Sequence, residues 1–172
     1  MKIIVTRHGE TEENKHGILT GWKSGALSAK GKKQVERLAK ELGDTKIDVI
    51  LSSDLQRCKE TVAILNAHHK APVRYLKSLR EINSGEFDGR PGADIQKALK
   101  EYKGDREAFK PKGGESMIAF CSRVLAFRKA LAGQKKRYEK KTVLICSHSN
   151  WTRTFLALKS PKLTVAYLDP KS

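Results

Sequence analysis

Residues 2–14 read KIIVTRHGETEEN, and this stretch decides the fold. Ile3, Ile4 and Val5 are consecutive β-branched apolar residues, the composition of a short strand buried in a sheet. The strand then delivers a cation, an imidazole and a residue without a side chain, Arg7-His8-Gly9, to one place. A buried strand ending in such a triplet sets chemistry at the rim of a sheet.

Working outward, the same grouping recurs. IDVILSS (47–53) reads as a second strand, and Ser53-Asp54-Leu55-Gln56 after it as a capping box opening a helix that runs to about residue 68. TVLIC (142–146) is an unbroken apolar run that implies burial on both faces, and it delivers Ser147-His148-Ser149-Asn150 and the start of another helix. Between them, residues 28–42 carry Val35, Leu38, Ala39 and Leu42 at helical spacing, with Ser28 as N-cap and Gly43 past the end. A third strand is expected over 73–77, then the irregular SLREINSGEFDGRPG (78–92) and a short basic helix over about 93–103. A longer helix over about 115–132, ended by Gly133, places Met117, Phe120, Cys121, Val124, Leu125 and Leu131 on a core stripe. A last strand is expected over about 163–168. Strands alternating with helices predict an α/β fold, a three-layer α/β/α sandwich with a mostly parallel central sheet. Ligands of such sheets bind beyond the carboxyl ends of the strands, so Arg7-His8-Gly9, Ser53 to Arg57 and His148 are expected to converge on one edge.

The 172 residues suit one domain, with residues 82–112 as a small lid segment. No apolar run approaches the roughly 20 residues of a membrane helix, and too few apolar residues follow Lys2 for a signal peptide, so a cytoplasmic protein is expected. Cys58, Cys121 and Cys146 are an odd set without close pair spacing, which points to reduced core thiols rather than a disulfide framework or zinc site. The net charge of +16 is the unusual quantity; it attracts anions without saying where they bind.

Two histidines and two arginines gathered on a ligand edge need an anion between them, because the arginines otherwise repel in a partly desolvated cleft. A phosphoryl group is the natural guest, since the guanidinium fork matches its oxygens and helix N-termini add free N–H groups. Gly9 is expected to let backbone approach the reacting atoms.

Arg7-His8-Gly9-Glu10-Thr11, Asn14, LSAKGKKQ, SSDLQRCKET, LREINSGEFDG, KGGES and CSHSN together resemble, in order and over the whole chain, the histidine phosphatase superfamily in its phosphoglycerate-mutase-like branch. The resemblance implies that His8 is the nucleophile and becomes phosphorylated. It implies that Arg7, Arg57 and His148 form the phosphate pocket, with Asn14 as a further contact, and that Gly9, Thr20, Gly21 and Ser149 belong to the phosphate or substrate site. Glu81 matches the proton donor, with Glu86 as the fallback acid; if Glu81 is not the acid, it pairs with Arg80 or Arg90 on the surface. No cofactor or metal is called for, and the expected partner is a small phosphorylated substrate or inorganic phosphate. Glu13 stands where an aromatic often precedes Asn14, Ser24 where Asp is common, and Ser149 where Gly is common; these departures bear on substrate choice.

The implied activity is phosphomonoester hydrolysis. A phosphoglycerate-mutase type of transfer is the first alternative, but the mutases carry a long insertion after the acid and here only residues 82–113 precede Gly114-Glu115-Ser116. A His8, His148, Glu81 metal site is opposed by Arg7 and Arg57. A nucleic-acid-binding module without catalysis has the charge in its favour and no RNA motif. Residues 97–112 are basic beside the expected lid and are expected to steer substrate. Residues 123–141, from Arg123 to Lys141, hold Arg123, Arg128, Lys129, Lys135, Lys136, Arg137, Lys140 and Lys141 against Glu139 alone. Most of these lie in a helix-to-strand connection at the amino edge of the sheet, as a solvated face or a docking patch for a polyanion.

Overall fold

The structure is a computed structural model that describes residues 1–158 and 164–170. Five strands, β1 (Lys2–Arg7), β2 (Val49–Ser52), β3 (Val73–Tyr75), β4 (Thr142–Ser147) and β5 (Thr164–Leu168), form one sheet in the order β3-β2-β4-β1-β5. Every strand pair in it is parallel. Of the expected last strand, residue 163 lies outside the described residues. The helices are α1 (Glu12–Lys15), α2 (Ala29–Leu42), α3 (Gln56–His69), α4 (Gly92–Glu101), α5 (Met117–Gly133) and α6 (Ser149–Ala157).

Alternate side chains of each strand go to opposite layers. Ile4, Ile50 and Leu144 pack with Val35, Leu38 and Leu42 of α2 and with Cys58, Val62 and Leu65 of α3. Ile3, Val5, Val143 and Ile145 pack on the other face with Phe120, Val124 and Leu131 of α5 and with Trp151 and Phe155 of α6. Contiguous apolar runs were needed because both faces are covered. Ser28 caps α2 by accepting from the Gly31 N–H at 3.0 Å, and Gly43 ends it at φ 46°.

Four expectations need correction. The capping box at Ser53 does not form: α3 starts at Gln56 with Leu55 as an N-cap that makes no side-chain bond. Both side chains of that box are engaged elsewhere, Ser53 Oγ at 2.8 Å from His148 Nε2 and Gln56 Nε2 donating to Glu60 Oε1 at 3.0 Å, while Asp54 forms a two-pronged pair with Arg80 at 2.6 Å. On α5, Met117 and Leu125 are exposed and Cys121 is half-buried, so the core stripe is narrower than the spacing suggests. Arg128, counted with the solvated basic face, is instead buried over the Phe155 ring and donates to the Phe155 carbonyl. Arg123 is likewise withdrawn from that face, donating to the Ser78 and Arg80 carbonyls at 3.0 and 2.9 Å. The rest of the connection lies where a parallel sheet puts it. Thr142 is in register with Lys2, and Ser147 with Arg7, so Lys135 to Lys141 sit at the edge opposite His8. Among the described residues no helix is long and apolar enough to cross a membrane.

Candidate active site

β1 and β4 are neighbours, so the residues they release at their carboxyl ends emerge side by side. The His8 N–H continues the ladder to the Ser147 carbonyl at 3.1 Å, and the Ser53 N–H does the same to Cys146 at 3.0 Å. The two imidazoles meet edge to face with centroids 5.1 Å apart. His8 Nδ1 lies 2.7 Å from the Gly9 carbonyl oxygen. A carbonyl only accepts, so Nδ1 carries the proton and Nε2 keeps its lone pair.

That lone pair faces Arg57, which is 1% exposed. Its Nε–H is shared between His8 Nε2 at 3.3 Å and His148 Nδ1 at 3.2 Å. Its other nitrogens donate to the Gly21 and Lys23 carbonyls at 2.7 and 3.2 Å. Burial brings its pKa below the ordinary guanidinium value, partly offset by nearby anionic groups. His148 is fully buried, and burial and the Arg57 charge hold its pKa well below the usual imidazole value. Since Nδ1 accepts from Arg57, the proton sits on Nε2 and is given to Ser53 Oγ.

Glu81 follows a short 3₁₀ turn (Lys77–Leu79) and reaches the N-terminal amides of α6. Its Oε1 accepts from the Ile82 and Trp151 N–H groups at 3.1 and 3.3 Å, and Oε2 from Asn150 at 3.1 Å. Burial nevertheless raises its pKa, outweighing these bonds and the Arg57 charge. It pairs with neither neighbouring arginine, for Arg80 is held by Asp54 and Arg90 by Asp94. Glu86 is exposed and accepts from the Lys112 N–H at 3.0 Å.

Arg7, His8, Asn14, Thr20, Gly21, Arg57 and Glu81 line one cleft of about 170 Å³. Its wall also includes Ser84 and Asn150, which sequence reasoning did not single out. Arg7 Nε and Thr20 Oγ1 are buried and have no hydrogen-bond partner among the described residues. Buried donors are nearly always paired, so two of them in one cleft mark where ligand oxygens belong. Gly9, His148 and Ser149 do not line it. Gly9 has a different reason to lack a side chain than approach to the reacting atoms: a Cβ there would press on the Gly31 carbonyl and Val35 of α2. At Gly21, with φ 47°, a Cβ would overlap the Asp88 carboxylate.

The supporting residues missed from the sequence are Thr61 and Asp88, and Ser53, expected on this edge as a helix cap, instead pairs with His148. Thr61 accepts from the Gly9 N–H at 3.2 Å and donates to the Arg57 carbonyl at 2.8 Å, locking the nucleophile loop to α3. Asp88 takes the Trp22 and Ser84 N–H groups at 2.9 and 3.2 Å, and burial raises its pKa. Four-residue spacing from Arg57 to Thr61 on one helix was the available signal for Thr61. Among the described residues no group of three or more His, Cys, Asp or Glu side chains is placed to hold a metal ion.

An acceptor-ready imidazole, buried guanidinium donors and a carboxyl with a raised pKa in one cleft are equipped to handle a phosphoryl group. The comparisons agree. A family model of the histidine phosphatase superfamily (branch 1) matches residues 3–164. A probable phosphatase of Schizosaccharomyces pombe is 34% identical over 128 residues, which cover 74% of this chain and 58% of that protein. The phosphoglycerate mutase of the same yeast is 30% identical over 174 residues, 90% of this chain and 77% of the mutase. The crystal structure of the alpha-ribazole phosphatase from Shigella flexneri superposes with a TM-score of 0.81 at 27% identity, covering 94% of this chain and 82% of that one. The chain belongs to the histidine phosphatase superfamily, and the relatives it resembles are phosphatases together with a phosphoglycerate mutase.

Proposed function

We propose that this protein hydrolyses small anionic phosphomonoesters with His8 as nucleophile and Glu81 as proton donor. The observation that carries the reading is the His8 Nδ1–H bond to the Gly9 carbonyl, which leaves Nε2 unprotonated on the side of Arg57 and the cleft. An incoming phosphoryl oxygen takes over the Arg57 Nε–H, and the His8 lone pair is released to attack phosphorus. Arg7, Arg57, Asn14 and Thr20 meet the phosphoryl oxygens, because transfer of this group depends on positioning and charge stabilisation. As the P–O bond to the alcohol breaks, Glu81 gives its proton to the departing oxygen; the resulting carboxylate takes a proton from the water that attacks phosphohistidine. Phosphate leaves, and His8 and Glu81 return to their starting states. His148, neutral and behind Arg57, positions the guanidinium.

We read residues 82–112 as a small lid on a single domain. Backbone bonds from Leu19 N–H to Arg90 and from Gly89 N–H to Leu19 join this segment to the cleft wall. Rapid quenching under non-acidic conditions during turnover tests the function: phosphate is expected on His8, and His8→Ala is expected to remove both label and turnover. Substantial turnover by His8→Ala refutes the mechanism.

A further inference from the structure

Beside the phosphate cleft lies a second cavity of about 240 Å³, larger than the cleft itself. The two adjoin, for Leu19, Ile82, Ser84 and Asn150 line both. Its remaining wall is largely apolar: Ile95 and Leu99 from α4, Phe109, and Met117 at the start of α5. Ile95 and Leu99 stand four apart, on one helical face. α4 has no buried residue, so this apolar face serves the cavity rather than a packed core.

Of the polar groups of the wall, Asn83 and Glu115 are already engaged, Asn83 by donating to the Gly113 carbonyl at 3.2 Å and accepting from the Gly85 N–H at 3.0 Å, while Gln96 is exposed. Glu115 holds Arg123 at 2.5 Å and accepts from the Asn83 N–H at 3.0 Å. Arg106 is the one cation of the wall, and it makes no ion pair among the described residues. The phosphate cleft, by contrast, is walled by two arginines and a histidine. A second phosphate would find one exposed guanidinium where the first finds a buried cage.

Resting on the proposed hydrolase reading, we infer that the annex receives the leaving alcohol, and that the substrate class is the monophosphate of an alcohol with a sizeable apolar body. Bisphosphates and small polyhydroxylated phosphates are disfavoured. The apolar body leaves water for the α4 face while the phosphate sits at His8, and transfer from water at about 0.8 kcal/mol per methylene makes affinity grow with apolar length.

Ethyl, butyl and hexyl phosphate test this, because their alkoxides have nearly the same basicity and differ in apolar reach. The kcat/KM ratio of hexyl to ethyl phosphate is expected to be at least about tenfold, well within the roughly fourfold per fully buried methylene that the transfer energy allows. Leu99→Gln is expected to cut that ratio at least threefold. The ratio is taken within one preparation, so a partly unfolded variant does not alter it. A ratio near one in the parent, or a preference for glycerol phosphate or a sugar bisphosphate over hexyl phosphate, overturns the inference and leaves the hydrolase reading standing. Absence of turnover on every ester, with no phosphate trapped on His8, removes both.

Discussion

The two edges of the sheet carry positive charge in opposite ways. At the carboxyl edge Arg57 is buried, its donors fixed by two imidazoles and two carbonyls. At the amino edge Lys135, Lys136, Arg137, Lys140 and Lys141 are all exposed. The first arrangement acts at short range in a medium of low polarity, where one charge is worth several kcal/mol to a developing anion. The second is screened within about 10 Å at ordinary salt and supplies field rather than chemistry. A net charge of +16 therefore says little until each cation is placed.

The sharpest way to break this contrast is to remove one buried cation. Arg57→Ala is expected to lower kcat/KM by about 10²–10³-fold, as loss of a preorganised charge-stabilising donor does. A loss below about fivefold would put Arg57 on a level with a surface lysine. Glu81→Gln should cost about 10²-fold or more on alkyl phosphates and far less on p-nitrophenyl phosphate, whose leaving group needs little protonation. The acid form does the work, so alkyl-phosphate turnover is expected to fall as pH rises through the raised Glu81 pKa, and this limb should vanish in the variant. Equal losses on both esters would make Glu81 a positioning group.

His148 adds a signature in stability. Its folded pKa is depressed while the unfolded imidazole titrates near 6.5, so the unfolded state binds the extra proton first and stability falls as pH drops below about 6.5. Denaturant titrations at pH 7.5 and 5.5 should show this loss, at most about 1.4 kcal/mol per pH unit, and a flatter dependence in His148→Asn. An imidazole that protonates normally in the folded protein would contradict the sign. The smallest effect belongs to the amino edge: reversing Lys135, Lys136 and Arg137 to Glu should leave small-ester turnover at low salt within about threefold of the parent. A large drop with the fold intact would mean that the two edges are not separate.

Much of this architecture was legible before the structure, for a definite reason. β1, β2 and β4 are buried on both faces, and runs such as Ile3-Ile4-Val5 and Val143-Leu144-Ile145 announce that burial without reference to anything distant. Parallel strands then oblige their carboxyl ends to share an edge, which brings Arg7, His8 and Arg57 together. The roles of Glu81 and Asn14 came from resemblance to a family, not from spacing. What stayed hidden depends on partners far along the chain. Ser53 looks like a helix cap because its competitor, His148, is 95 residues away. Arg128 looks like a surface charge because nothing local tells of the Phe155 carbonyl and ring that cover it. Met117 follows core spacing, yet it borders the annex, a space that helical periodicity does not register.

The segment bearing Glu81 is bracketed by both tryptophans of the sequence. The Trp22 indole N–H donates to the Glu81 carbonyl at 2.8 Å, with the Arg80 guanidinium 4.7 Å from the ring. Trp151 gives its backbone N–H to the Glu81 carboxylate and its indole N–H to Ser78. Trp151 is fully buried and Trp22 half-buried, so the two emit in different surroundings, the second at longer wavelength. Intrinsic fluorescence is thus a built-in optical gauge of the acid-bearing segment: Trp151→Phe leaves a single tryptophan on it, and a displacement of that segment on ligand binding would register as a shift in its spectrum.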